Sequence, residues 1–139
     1  MRLVTRNQYS RVMTENIDGM HDMGFLFFAP ANTPRYTVYE TFKVPAGYIA
    51  VLRSATGKVG PTPVAGQADV LVRMTRPGQP LLEVFQVYSD GGVSNEKVVS
   101  NAYNIIMPEG TVVITLYSNI DNTAPHIVGL YLVIDLIRL

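Results

Sequence analysis

The chain has two histidines, His21 and His126, and no cysteine. Cysteine nucleophiles, disulfides and thiolate zinc sites are therefore ruled out by composition. His21 stands between Asp18 and Asp22, a grouping that could offer metal ligands. One short loop supplies three ligands at most and does not fix their geometry. The run reads instead as a polar turn, and His126 as a loop residue leading into the last strand. No His-x-His pair lies on a strand-like segment, which argues against a cupin-like metalloenzyme.

A serine or threonine nucleophile needs a base and an orienting acid. No Gly-x-Ser-x-Gly elbow is present, and Ser54 and Ser118 each read as the last residue of a strand. Asp69, Glu83 and Asp135 fall in strand-like runs. A glycosidase would need two of them facing one cleft, whereas a strand carboxylate ordinarily faces solvent. Asp90, Asp121 and Asn122 offer loop oxygens of the kind calcium takes, without EF-hand spacing. The expectation is a protein that is not an enzyme and uses neither cofactor nor metal.

Charge points the same way. Lys plus Arg and Asp plus Glu each number 11, and charged residues are 16% of the chain. Soluble domains usually carry about 25%. There is no overall field to steer nucleic acid or anionic lipid, and zero net charge favours association. Arg2, Arg6 and Arg11 have no acid between them, but Glu15, Asp18 and Asp22 follow and cancel them. Nucleic acid and membrane are not expected partners: the N-terminus lacks the apolar core of a signal peptide, and no apolar run is long enough to span a bilayer. Eight tyrosines are present, and Tyr9, Tyr36, Tyr48 and Tyr103 lie in or beside expected loops. Tyrosine stacks on sugars and anchors protein interfaces, and it also suits strands.

The elements that position these residues divide the chain in two. Residues 34–139 read as a β-sandwich domain, with strands at 36–44, 47–54, 68–75, 81–89, 97–106, 111–118 and 127–138. These runs are rich in valine, isoleucine, tyrosine and threonine. Arg76-Pro77-Gly78-Gln79 reads as a tight hairpin turn and 57–66 as the longest loop. Residues 1–33 read as an N-terminal arm. Tyr9, Val12, Met13, Ile17 and Met20 fall near a 3.6-residue period, so the arm is a short helix or an extended segment. Met20, Met23, Phe25, Phe27 and Phe28 give it an apolar end that must be covered, and they are the expected protein-interface residues.

Val44-Pro45-Ala46-Gly47 and Met107-Pro108-Glu109-Gly110 repeat one corner 63 residues apart, each leading from strand to strand. Two such corners fit a jelly roll made of two Greek keys, so the expected fold is an all-β antiparallel sandwich of that kind. With the apolar arm ending at Phe28, the chain resembles the jelly-roll capsid decoration, or cement, proteins of tailed bacteriophages. That resemblance implies a virion structural protein on the capsid surface. It also implies a homo-oligomer, a trimer above all, that bridges and stabilises subunits of the major capsid protein. A carbohydrate- or receptor-binding module of a phage tail or baseplate is the alternative that the tyrosines and long loops support.

Overall fold

A computed structural model describes residues 19–60, 67–89, 96–120 and 124–139. The expectations placed on Arg2, Arg6, Tyr9, Arg11, Asp18, Asp90, Asp121 and Asn122 lie outside those residues.

Eight strands make up the described chain: β1 (Gly19–Ala29), β2 (Thr33–Lys43), β3 (Tyr48–Val59), β4 (Ala68–Thr75), β5 (Leu82–Ser89), β6 (Lys97–Met107), β7 (Val112–Asn119) and β8 (His126–Arg138). They form two antiparallel four-stranded sheets, in the orders β1-β8-β3-β6 and β2-β7-β4-β5. This is the strand order of a jelly roll, two interlocked Greek keys folded into a sandwich. Among the described residues no helix is long and apolar enough to cross a membrane.

The repeated Pro-x-Gly corners explain how the chain changes sheet. Each carries its glycine at positive φ, 84° at Gly47 and 87° at Gly110, a backbone that side chains resist. The first takes β2 into β3 and the second takes β6 into β7, so both cross between sheets. They lie side by side. Val44 N donates to Thr111 O and Gly110 N to Val44 O, both at 2.9 Å. The sequence echo is thus a pair of matched corners bonded to each other at one end of the sandwich.

Inward residues of both sheets meet in one core that includes Leu52, Ala55, Val70, Val72, Phe85, Leu130, Leu132 and Ile134. The flank between edge strands β1 and β2 is closed by rings: Phe25 and Phe27 from one sheet, Tyr39 and Tyr117 from the other. The centroid distances are 4.6 Å for Phe25–Tyr39 and 4.9 Å for Phe27–Tyr117. At the opposite flank Tyr103 Oη donates to the Val84 carbonyl, joining β6 to β5 at 3.1 Å. Tyr103, expected in or beside a loop, is a strand residue that ties the sheets together. Asn119 is buried, and its Nδ2 lies 3.0–3.2 Å from the carbonyls of Ala29, Pro30 and Ala124. It pins the β1–β2 connection to the approach into β8.

The structure differs from the sequence reading at the arm. Residues 19–29, expected in the arm of residues 1–33, are β1, paired over eleven positions with β8 from Gly19↔Leu136 to Ala29↔His126. The body of the sandwich therefore starts no later than Gly19. Met20, expected in a short helix or an extended segment, is in this strand. Alternation is hidden because β1 carries apolar residues on both sides, so a period of two does not show in hydrophobicity. Gly24 also looks like a break. A Cβ there would collide with the Leu130 carbonyl oxygen, so the position is set by close packing of β1 on β8. Likewise β3 runs on to Val59, through the part of residues 57–66 expected as loop.

Candidate functional site

Strand alternation sorts the five expected interface residues into two sets. Met23 and Phe25 point inward and are buried, and Phe27 points inward at the rim among the rings. Phe28 and Met20 point outward, 65% and 50% exposed. Leu26, which the sequence reading passed over, shares their face and is 63% exposed. The pattern that finds it is the spacing 20, 26, 28 once a strand is assumed. Met20 lies six residues from Leu26, about 20 Å along the strand, so the contiguous apolar pair is Leu26 and Phe28.

That pair stands at one corner of the outer face of the β1-β8-β3-β6 sheet. Its neighbours follow from register: Phe28 opposes Ile127, and Leu26 opposes Gly129, with Lys58 on β3 and Val98 on β6 next in the same row. Gly129 has no side chain to fill its place, and a depression of about 400 Å³ opens between Leu26, Thr56, Lys58 and Tyr131. The next rows carry Tyr131, Thr56 and Ser100, then Val133, Ser54 and Ala102. Ile106, at the far end, is exposed. The exposed charges of this face are paired: Lys58 with Glu96 at 3.0 Å, and Arg53 with Asp135 at 3.1 Å and with Asn104 Oδ1 at 2.7 Å. Large apolar side chains exposed together, with the exposed charges around them paired, fit the make-up of an interaction surface.

Asp22 is also on this face but buried, and the Tyr131 hydroxyl donates to its Oδ2 at 2.8 Å. Burial, the bond to Asp22 and the Asp22 charge, in that order, raise the Tyr131 pKa above its usual value of 10.0. The folded chain therefore holds this proton more tightly than the unfolded chain does. The stabilisation is complete below pH 10 and is lost as pH rises through the folded value. In thermal melts the fall in stability above pH 10 is expected to be shallower for Tyr131→Phe than for the natural chain. Equal slopes would show that Tyr131 is not linked to folding.

The residues considered for catalysis are not brought together. Asp135 faces outward from one sheet, Asp69 and Glu83 from the other. Along β4, Asp69 stands four residues from Arg73, the partner of Glu83, which is about 13 Å. Asp69 is buried and accepts from Ser118 Oγ and from Gln86 Nε2, the latter at 3.3 Å. His21 is in β1, not in a turn, and alternation places it and Asp22 on opposite faces. His126 opens β8 and is buried. Ser54 lies inside β3, at its bulge. Tyr48 opens β3 and its hydroxyl accepts from Arg138 at 3.0 Å. Among the described residues no three His, Asp or Glu side chains form a group able to hold a metal ion.

No protein-family model and no curated protein matches the sequence. Solved structures do resemble the fold. The TNF domain of Eiger from S. frugiperda is 11% identical over 88% of this chain and 92% of its own, with a TM-score of 0.45. The Drosophila NLP core, described as a histone-binding pentamer, is 13% identical over 87% of this chain and all of its own, with a TM-score of 0.42. A protein of infectious bursal disease virus, Gt strain, is 6% identical over 88% of this chain and 34% of its own, with a TM-score of 0.43. At such identities and scores the likenesses carry no functional argument, since β-sandwiches host many functions. Function has to be read from the faces of this molecule.

Proposed function

We propose that this chain is a non-catalytic structural protein of a virus particle, of the decoration or cement kind. It sits on the capsid surface and bridges subunits of the major capsid protein, and it self-associates, as a trimer. The observation that carries this reading is the outer face of the β1-β8-β3-β6 sheet, where Leu26 and Phe28 project beside a shallow socket on a surface whose exposed charges are paired. Such a face contributes free energy when covered, at about 25 cal/mol per Å² of apolar surface removed from water. A lattice of identical subunits multiplies modest contacts of this kind into tight attachment.

The test has two readings on the full chain. Light scattering is expected to give a discrete oligomer. Co-sedimentation with assembled capsid shells is expected to give saturable binding that raises the temperature at which the shells break. A chain that is monomeric at all concentrations and leaves every shell unbound would overturn the proposal.

A further inference from the structure

The other sheet presents a different outer face. Tyr36 lies in an irregular part of β2, where the register jumps from Thr33↔Asn119 to Thr37↔Tyr117. Its φ is 62°, a left-handed backbone that a bulky non-glycine residue rarely holds. Strained backbone of this sort persists where the surroundings impose it, and it gathers at binding sites. Here it throws the ring over the sheet. The Arg73 guanidinium lies 4.3 Å from the ring centroid, although β7 separates β2 from β4. Tyr36 is 46% exposed, whereas the Arg73 side chain is 21% exposed and its Nε is buried with no hydrogen-bond partner. The ring is therefore the outer layer and the guanidinium the inner one. Leu71 and Leu116, paired on β4 and β7 and pointing to this same face, are buried.

The outcome is an aromatic ring with one face held and the other in solvent, bordered by hydrogen-bonding groups. Glu83 pairs with Arg73 at 3.0 Å and is half-exposed. Gln86 is exposed in the row between Arg73 and Asp69. At the far edge Tyr88 is exposed, and its hydroxyl accepts from Gln67 Nε2 at 2.9 Å, which leaves its own hydrogen to donate outward. The two tyrosines stand on β2 and β5, strands about 14 Å apart across the sheet. A platform of this build suits a ligand whose rings are apolar on their faces and carry hydroxyls at their edges. The Arg73 charge is already answered by Glu83, and Asp69 lies on the same face, so nothing here calls for an anionic ligand.

We propose that the outer face of the β2-β7-β4-β5 sheet is a binding site for a neutral oligosaccharide. One pyranose stacks on Tyr36, the chain crosses toward Tyr88, and Gln86 and Glu83 meet its hydroxyls. This inference is independent of the assembly reading, because it uses the opposite sheet.

The experiment is titration calorimetry of the full chain with neutral tetrasaccharides of glucose, N-acetylglucosamine, mannose and galactose. Tetragalacturonate and single-stranded oligothymidylate serve as anionic probes. At least one neutral tetrasaccharide is expected to bind. Tyr36→Asn, whose residue accepts left-handed backbone, is expected to weaken it about tenfold or more while the melting temperature and the oligomeric state hold. Tyr88→Ala is expected to weaken it several-fold. Three outcomes would overturn the proposal: no neutral probe binds at millimolar concentration, an anionic probe binds better, or binding survives Tyr36→Asn at full strength. A Tyr36→Asn chain that loses stability while binding is unchanged would mark the ring as a cover for Leu71 and Leu116 alone.

Discussion

The chain carrying both Leu26→Asp and Phe28→Asp is expected to be monomeric at concentrations where the natural chain is an oligomer, and to leave capsid shells unbound. Both side chains project into solvent from an edge strand, so their loss removes little from the core, and the monomer's own stability is expected to change by no more than about 1 kcal/mol. Covering two such side chains contributes about 3–6 kcal/mol, and two carboxylates facing an apolar partner add a desolvation penalty. The dissociation constant is then expected to rise by about two to four decades. Leu81→Asp, at another exposed leucine on the β4–β5 connection, is the control and is expected to assemble normally. Sedimentation velocity of the three chains separates the outcomes. Equal association by all three would remove this sheet face from the interface.

Why the two faces were unequally legible follows from how strands encode themselves. Residues 68–75 and 81–89 could be placed to within a residue because both runs are rich in valine interspersed with polar residues such as Asp69, Arg73, Glu83 and Gln86, and Pro77-Gly78 marks the turn between them. That turn is the one observed, with Gly78 at φ 72° and Gln79 N bonded to Arg76 O. β1 has no such contrast. Leu26 and Phe28 face outward but are as apolar as Phe25 and Phe27, so hydrophobicity is constant along the segment while orientation alternates. The loss of the signal and the exposed apolar pair have one cause: Leu26 and Phe28 put apolar residues on the solvent side of the strand, as the proposed docking role requires. The Tyr36 platform was invisible for another reason. It depends on one backbone angle and on a contact across an intervening strand, neither of which is written in local composition.

Gly57 is where the two readings of the chain give opposite signs. As the start of a loop, residue 57 would tolerate alanine, and replacing a flexible glycine would raise stability by about 0.4–1 kcal/mol through the unfolded state. In the structure it is an inward position of β3 with φ outside the left-handed region, so alanine suits its backbone. The obstacle is the opposite sheet: a Cβ would lie 2.6 Å from Val87 Cγ2, 2.7 Å from Phe85 Cε2 and 3.0 Å from Val70 Cγ2. Three buried side chains on two strands would have to yield together. Gly57→Ala is therefore expected to lower unfolding free energy by about 1–3 kcal/mol, and Gly57→Val by more. Urea denaturation reads this as a lower midpoint with an unchanged slope. Val87 makes the closest contact, so Val87→Ala in the same chain is expected to recover part of the loss, a non-additive pair coupled by about 0.5–3 kcal/mol. A stabilised Gly57→Ala chain would place residue 57 in a loop and end β3 before it. That would take Lys58 off the sheet, and with it part of one wall of the socket beside Leu26.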